Sequence, residues 1–142
     1  MALRSTLELD EKLYDVLDLD YEFSLSYDNN FKPSNNAVNG GLINFTILSP
    51  IFDNLVFHNW LLKKLRKSGK FVLPISHITA HGMKWYQFAD AYCVRLSEHY
   101  NKSNSSQMYM RITISASSIT VIGEKCEETL YNKNFPPPEK KR

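Results

Sequence analysis

Alternating apolar and polar residues dominate the beginning of the chain. From Leu13 to Tyr27 the odd positions are mostly apolar and the even positions mostly polar, which is typical of a β-strand with one buried face. Leu7 and Leu9 alternate in the same way, and residues 10–12 supply a tight connection between the two stretches. The pattern predicts an antiparallel hairpin with an acidic outer face.

Residues 28–41 interrupt this alternation. They concentrate Asn, Pro and Gly, which favour turns and left-handed backbone angles over regular structure. The segment is therefore predicted to be a long loop. A loop of this length inside a compact domain is usually functional or disordered, so this loop is the first surface feature to consider.

A third strand and one helix follow the loop. Residues 42–48 are β-branched and aromatic, as is typical of strands. Ser49 is a capping residue, Pro50 suits the first helical position, and the apolar residues after them have helical spacing. We expect an amphipathic helix over about residues 50–67, with basic residues that complement the dipole at its C-terminal end.

The second half of the chain returns to alternation. Phe71 begins a fourth strand, which is expected to lie at an edge or to be bulged because Pro74 cannot donate to a ladder. Residues 83–98 and 108–116 predict two long strands joined as a hairpin, and residues 119–122 predict a short last strand. On the longest strand the even positions form the predicted apolar face: Tyr86, Phe88, Tyr92, Val94 and Leu96.

These elements amount to about seven strands and one helix. Strands with one polar and one apolar face, joined mostly by hairpins, predict a mainly β fold. The expected architecture is an antiparallel β-barrel or sandwich with one flanking α-helix. We expect a single domain over residues 1–126, followed by a polar, Pro-rich and mobile tail at residues 127–142.

The composition supports one folded domain with separated charges. The 142 residues are 43% hydrophobic and 13% aromatic, which is enough for a sizeable core. The net charge is only +2, but residues 1–28 hold eight acidic and two basic residues, while residues 63–70 hold five basic residues and no acid. The sequence has only two cysteines, so we expect reduced thiols. It shows no export signal and no apolar run of about 20 residues, so we expect a cytoplasmic origin and no membrane insertion.

The sequence offers few candidates for catalysis or metal binding. It contains no Gly-rich phosphate loop, nucleophile elbow or zinc-finger spacing. His77 and His81 are interpreted as surface residues rather than metal ligands. Asp90 could be a catalytic acid, although a structural aspartate or an exposed strand bend is favoured, and Cys93 could be exposed or covered. We therefore expect no enzyme activity, no cofactor and no nucleic-acid partner.

Several segments occur in an order that is specific in combination. They are residues 7–17, Tyr21-Glu-Phe-Ser24, Gly40-Gly41 leading into residues 42–47, the helix with Trp60, residues 88–94 followed by Ser97-Glu98, and residues 112–116. Together, over about residues 2–124, they resemble the Hcp-like tube proteins of bacterial type VI secretion systems, in the TssD form found in Bacteroidetes.

The resemblance implies a small β-barrel with one flanking helix and a structural rather than catalytic role. It implies homo-hexameric rings that stack into a hollow tube. A contractile sheath would eject this tube together with a tip or spike protein and with effectors carried in the lumen. The protein would be assembled in the bacterial cytoplasm and then secreted through this apparatus without a signal peptide.

The resemblance also directs attention to two surfaces. The long loop would contact the neighbouring ring. Phe31 and Val38 are either anchors of that contact or packed against their own domain. The loop residues predicted to take part in stacking are Phe31, Val38, Asn39, Gly40 and Gly41. A ring requires two different patches of one protomer to meet. The predicted patches are acidic (Asp18, Asp20, Glu22) and basic (Lys63, Lys64, Arg66, Lys67).

Two other classes of function remain open at this point. The numerous aromatic residues could line the cavity of a monomeric β-barrel that binds a small apolar ligand. The chain could also be a secreted effector enzyme that uses Asp90 or Cys93.

Overall fold

The computed structural model describes residues 5–25, 27–32, 39–50, 55–74, 83–102, 107–123 and 127–132. Eight strands and one helix lie within these residues. In chain order they are β1 (Thr6–Leu9), β2 (Lys12–Tyr21), β3 (Leu42–Leu48), α1 (Val56–Leu62), β4 (Lys67–Pro74), β5 (Met83–Asn101), β6 (Gln107–Ser115), β7 (Ser118–Ile122) and β8 (Glu127–Asn132).

The strands form an antiparallel barrel with an extension. Their order is β4-β1-β2-β3-β6-β5-β7-β8, and the additional pairing of β4 with β5 closes a six-stranded barrel. β7 and β8 continue the sheet beyond the barrel from the N-terminal half of β5. The predicted mainly β fold with one flanking helix is confirmed.

The first hairpin forms where it was predicted, with a turn one residue shorter than the expected connection at residues 10–12. Leu9 pairs with Lys12, which leaves Asp10 and Glu11 as the two turn residues with φ angles of 52° and 64°. Positive φ at both central positions defines a type I′ turn, whose twist matches the right-handed twist of the strands. The short acidic turn at residues 10 and 11 therefore fixes how β1 and β2 pair.

A bulge in β2 changes which residues face the core. The register shifts between Val16 and Asp18, and before that shift it is the even positions that point inward. Leu13 and Leu17 are consequently 68% and 49% exposed, although simple alternation placed them inside. Leu19, beyond the bulge, packs against the core again as the pattern predicted.

A backbone kink changes the face of β5 in the same way. Asp90 has a φ of 48°, so the residues directly after it have the opposite parity: Ala91 and Cys93 are buried, while Tyr92 and Val94 are exposed. A register shift between Cys93 and Arg95 then returns Leu96 to the core, as predicted. The predicted apolar face is therefore correct before the kink and wrong at Tyr92 and Val94. Asp90 itself is exposed and does not point into the core.

β4 lies inside the barrel wall rather than at an edge. It pairs with β1 on one side and β5 on the other, and Pro74 is its last residue, where a missing donor interrupts nothing. A register shift lies at its other end, between Lys67 and Gly69. A Cβ atom at Gly69 would lie 2.5 Å from the backbone oxygen of Glu8, so only glycine allows β1 to approach here.

The helix is shorter than the predicted span of 50–67. α1 covers seven residues, and residues 51–54 lie outside the described part of the chain. Leu55, with φ 57°, precedes α1, and Lys63 is its C-cap. Lys64 then adopts a φ of 52°, which ends the helix, so Arg66 and Lys67 lie in the connection to β4 and in β4 itself.

α1 packs against the barrel through its two buried aromatic residues. Phe57 contacts Tyr14 edge to face at 5.1 Å between ring centroids. Trp60 is fully buried, and its indole nitrogen donates a 2.8 Å hydrogen bond to the carbonyl oxygen of Ala91. At the solvent side, Nε2 of His58 lies 3.0 Å from Oε1 of Glu98. These contacts attach the helix to β2 and β5.

The barrel interior is filled by side chains that pack on one another. Phe71 contacts both Phe45 and Phe88, and Phe88 stacks on Trp60 with 6.3 Å between ring centroids. The buried aliphatic residues of β1, β3 and β6 complete the core: Leu7, Leu9, Ile43, Ile47, Met110, Ile112 and Ile114. The aromatic rings on which a ligand-binding barrel would depend are thus engaged in this packing.

The C-terminal part contains a strand that the sequence analysis assigned to the tail. Residues 127–132 form β8, which pairs along β7 from Ser118 to Ile122. A register shift between Ile119 and Thr120 and the polar composition of β8 obscure its alternation. Residues 133–142 lie outside the described part of the chain. Within the residues that are described, no helix has the length and apolar character needed to cross a bilayer.

Candidate assembly surface

The connection between β2 and β3 forms an arm, which we define as residues 22–41. Ser24 and Asn39 close its base as an antiparallel bridge. The backbone nitrogen of Ser24 donates to the oxygen of Asn39 at 3.0 Å, and the nitrogen of Asn39 donates to the oxygen of Ser24 at 2.7 Å. The arm therefore leaves the barrel as a paired structure. Residue 26 and residues 33–38, including the predicted anchor Val38, lie outside the described residues.

The two glycines at the base of the arm have separate structural roles. A Cβ at Gly40 would lie 2.4 Å from Cδ1 of Phe23, so glycine allows the returning chain to lie on the Phe23 ring. Gly41 has a φ of 99°, a backbone conformation that glycine adopts without strain. Its carbonyl oxygen accepts a 2.8 Å hydrogen bond from the nitrogen of Ala116, which ties the arm to the end of β6.

Asp28 organises the outer part of the arm. Its Oδ1 accepts hydrogen bonds from the backbone nitrogens of Asn30 and Lys32, at 2.9 and 3.0 Å. Its own backbone nitrogen donates to the oxygen of Lys32, and its oxygen accepts from the nitrogen of Phe31. A short polar side chain that bonds to the backbone a few residues further on stabilises a turn, so this part of the arm is pre-shaped.

The turn around Asp28 presents two stacked aromatic rings to solvent. The ring of Tyr27 lies 5.6 Å from the ring of Phe31, with 27° between their planes. The side chains are 66% and 79% exposed. The prediction singled out Phe31 but missed Tyr27, because the alternation of β2 appeared to continue through it. Tyr27 could have been recognised in the sequence as an aromatic residue directly before Asp28, at the start of the loop.

The acidic patch lies beside the base of the arm, on the outer face of the barrel. Asp18 approaches Arg111 at 3.8 Å, and Oδ1 of Asp20 accepts a 2.9 Å hydrogen bond from Asn44. Glu22 is exposed and borders a shallow recess of about 340 Å³ together with Gly40. Asp18 and Asp20 thus both contact residues of neighbouring strands, whereas Glu22 is the first residue of the arm itself.

The basic patch is divided by its contacts. Lys67 forms an ion pair with Asp10, and Nε of Arg66 donates a 3.0 Å hydrogen bond to the hydroxyl of Tyr92. Lys63 and Lys64 are exposed, and neither takes part in an ion pair within the described ranges of the chain. Of the four predicted basic residues, Lys63 and Lys64 are therefore the two whose charges are available to an acidic group on a partner.

The residues considered for catalysis occupy structural positions. The backbone nitrogen of Asp90 donates to Oγ of Ser68 at 3.0 Å, and its carbonyl accepts from Ser117, which agrees with the favoured interpretation of an exposed strand bend. Cys93 is 6% exposed, and burial raises the pKa of its thiol to about 11. His77 and His81 lie outside the described residues. Among the residues that are described, no three His, Cys, Asp or Glu side chains could hold a metal ion.

A closed six-stranded antiparallel barrel with one helix packed against it is the fold of Hcp-like proteins. The sequence matches the family described as hemolysin coregulated protein Hcp (TssD) over residues 1–129. The chain belongs to this family and is a tube subunit of a type VI secretion system. Members of the family form hexameric rings and are secreted.

Solved structures have the same fold. Hcp1 from Flavobacterium johnsoniae is 22% identical with a TM-score of 0.69, and the match covers 88% of this chain and 98% of that protein. Hcp1 from Salmonella typhimurium is 12% identical with a TM-score of 0.67, covering 91% and 93%. Secreted protein Hcp3 from Pseudomonas aeruginosa is 9% identical with a TM-score of 0.59, covering 89% and 95%. No curated protein matches the sequence significantly.

Proposed function

We propose that six copies of this chain form a ring and that the rings stack through the arm into a hollow tube. Assembly takes place in the bacterial cytoplasm, and a contractile sheath ejects the tube with its spike and with effectors in the lumen, without a signal peptide and without catalysis by the barrel. The observation that carries the proposal is the stacked pair of Tyr27 and Phe31 on a braced arm. Large aromatic residues exposed together in this way are typical of a protein contact.

The construction of the arm favours such a contact energetically. Burying an aromatic side chain of this size stabilises a complex by about 1.5–3 kcal/mol. The bridge between Ser24 and Asn39 and the turn at Asp28 order the arm before binding, so little conformational entropy is lost on contact. Six arms in each ring would act together, which makes even a weak individual contact sufficient for stacking.

The charge distribution suits the head-to-tail contact within a ring. The basic patch adjoins the turn before β2, where Lys67 pairs with Asp10, whereas the acidic patch lies toward the other end of β2 and just after it. Extended chain from Asp10 to Asp18 spans roughly 26 Å. Two complementary patches at different places on one protomer can meet only on different copies, which is the geometry of a cyclic interface. We assign the main charge contact to Glu22 on one copy and to Lys63 and Lys64 on the next.

The test is the native mass of the purified chain, measured by light scattering on a sizing column and followed by negative-stain imaging. The expected particle has about six times the monomer mass of 16.5 kDa, roughly 100 kDa, and appears as rings that form tubes at high concentration. A monomer at all concentrations would overturn the proposal.

A double variant separates stacking from ring formation. Tyr27→Ser with Phe31→Ser should leave rings intact and abolish tubes, because the aromatic contact lies on the arm and not on the barrel wall. Tyr100→Ser removes a ring that is 51% exposed at the far end of β5, and it serves as the matched control with normal tubes. If the double variant also lost the rings, Tyr27 and Phe31 would belong to the ring interface instead.

A further inference from the structure

An open groove lies on the outer face of the barrel, away from the arm. Its volume is about 490 Å³, and it runs across β1, β4, β5 and β7. One end is formed by Glu8 and the turn residues Asp10 and Glu11, and the other end by Ser118 and Thr120. We call this feature the outer groove. Neither the acidic patch nor the arm contributes to it.

The chain leaves its last strand at one end of the outer groove. The register of β8 places its final residue, Asn132, beside Ser118, and Ser118 lines the groove. Ten further residues, 133–142, follow Asn132 in the sequence. The continuation of the chain therefore starts next to an open channel on its own domain.

The distance across the groove is within reach of this segment. From Asn132 on β8 to β1 there are four strand spacings, or about 19 Å, whereas seven extended residues span about 22 Å. Residues 136–138 are three consecutive prolines, which hold a chain in the extended polyproline conformation at about 3.1 Å per residue. An already extended segment loses little entropy when it lies in a groove.

The charges at the two ends are complementary. The segment ends with Lys140, Lys141 and Arg142, and the far end of the groove carries three carboxylates. Lys67 pairs with Asp10, and Lys70 lies 3.4 Å from Glu8, so the local balance remains negative through Glu11. A chain that starts at Asn132 and crosses the groove brings its basic residues to this acidic turn.

We propose that residues 133–142 dock in the outer groove of their own chain, with the basic residues 140–142 against the acidic turn at residues 10 and 11. The segment then acts as a strap across the outer face of β5 and β4. A docked segment is an alternative to the mobile tail expected from the sequence, and docking is independent of how the rings stack.

Disulfide trapping in the full-length chain tests this arrangement. Gln87 is exposed on β5 and lines the groove, so Gln87→Cys is combined with Glu139→Cys in a Cys126→Ser background; Cys93 is buried and stays unreactive. After mild oxidation, a non-reducing gel should show most of the protein as a faster-migrating monomer with an internal disulfide.

A second pair of cysteines controls for simple proximity. Val94 is also exposed on β5 and lies about 19 Å from Asn132 by strand geometry, which the segment could also reach. Val94→Cys with Glu139→Cys should form at least fivefold less internal disulfide. Equal trapping at the two sites would mean that the segment samples the whole surface, and the proposal would then be wrong.

Charge variants test the recognition itself. Changing residues 140–142 to Glu, or Glu11→Lys alone, should reduce trapping at Gln87→Cys several-fold. Asp15→Lys makes the same charge change at an exposed site on β2 outside the groove and should not. Unchanged trapping in the first two variants would overturn the assigned contact. Disulfide-linked dimers that increase with concentration would show instead that the groove binds the segment of a second copy.

Discussion

The indole nitrogen of Trp60 donates a hydrogen bond to the backbone oxygen of Ala91, directly after the kink at Asp90. Ala91 is the last residue of β5 that pairs with β4, opposite Lys67. The helix thus satisfies a backbone acceptor at the point where the strand ladder ends. A buried carbonyl left without a donor costs about 1–3 kcal/mol of folding free energy. Because Ala91 lies where β4 and β5 close the barrel, this hydrogen bond links the helix to that closure.

Replacing Trp60 by Phe should destabilise the protein substantially. The variant Trp60→Phe removes the donor and leaves a small cavity, and we expect the free energy of unfolding to fall by about 2–4 kcal/mol. Chemical denaturation followed by circular dichroism measures the change. Trp85→Phe is the matched control: Trp85 is only partly buried and lies outside the core cluster, so a loss under about 1 kcal/mol is expected. Equal losses would contradict the role assigned to Trp60.

The kink at Asp90 depends on its backbone conformation rather than on its carboxylate. With a φ of 48°, Asp90→Gly should be tolerated, whereas Asp90→Val should lower the free energy of unfolding by about 1–2 kcal/mol relative to Asp90→Gly. Denaturation curves of the two variants provide the comparison. Asp90→Gly should also assemble normally. Loss of assembly in a stably folded Asp90→Gly protein would assign a contact to the carboxylate.

The side-chain space at Gly40 determines the position of the arm. In Gly40→Ala the new methyl group would overlap the ring of Phe23, so the arm should shift; we expect stacked tubes to be lost while rings persist. Sizing and negative-stain imaging report both states. The change Phe23→Leu in the same variant removes the obstructing ring and should restore part of the stacking.

Gly69→Ala provides a contrast to Gly40→Ala. The added Cβ at Gly69 would meet the backbone oxygen of Glu8 at 2.5 Å, which cannot rotate away. The barrel itself should lose stability in this variant, as measured by its melting temperature, whereas Gly40→Ala should melt near the wild-type temperature. If both variants melted early, Gly40 would be needed for the fold and not for the position of the arm.

The buried thiol of Cys93 should make stability depend on pH in the alkaline range. Burial raises its pKa from 9.0 to about 11, so the unfolded chain releases this proton at a lower pH than the folded chain. The stabilisation is fully present below pH 9 and is lost as the pH rises to 11, by roughly 2–3 kcal/mol.

The measurement compares the free energy of unfolding of the wild type and Cys93→Ala, both with Cys126→Ser, between pH 8 and 11. Other groups titrate alike in the two proteins, so the difference between them isolates Cys93. The advantage of the wild type should shrink across this range. A constant difference would mean that the thiol is more accessible to water than its 6% exposure indicates.

The sequence was sufficient to predict the fold class, because alternation survives in most strands. The predicted hairpin of β1 and β2, the bounds of β3 and the hairpin of β5 and β6 are confirmed. Burial was predicted less well. A bulge in β2 and the positive φ of Asp90 each invert the alternation for several residues, and the pattern of residue types does not record where such an inversion begins.

The candidate surfaces were predictable only in part. Composition located the arm, because Asn, Pro and Gly mark a loop. The contacts that shape the arm could not be predicted, since the stack of Tyr27 on Phe31 and the turn around Asp28 depend on local backbone geometry. The charge patches were visible in the sequence, but the engagement of Lys67 by Asp10 depends on the bulge at the start of β4.

Ring assembly should respond to the two basic residues that remain exposed. Lys63→Glu with Lys64→Glu places like charges opposite the acidic patch, and we expect each contact to weaken by about 1–2 kcal/mol, so that rings dissociate at roughly tenfold higher concentration than in the wild type. The native mass across a dilution series measures this dissociation.

Lys12→Glu with Arg95→Glu is the control, because it makes the same charge change at exposed sites elsewhere and should leave the rings intact. Adding Glu22→Lys should restore part of the affinity, and salt should diminish the difference between all variants. Intact rings in the Lys63 and Lys64 variant would place the interface elsewhere and leave these residues with their local role beside the end of α1.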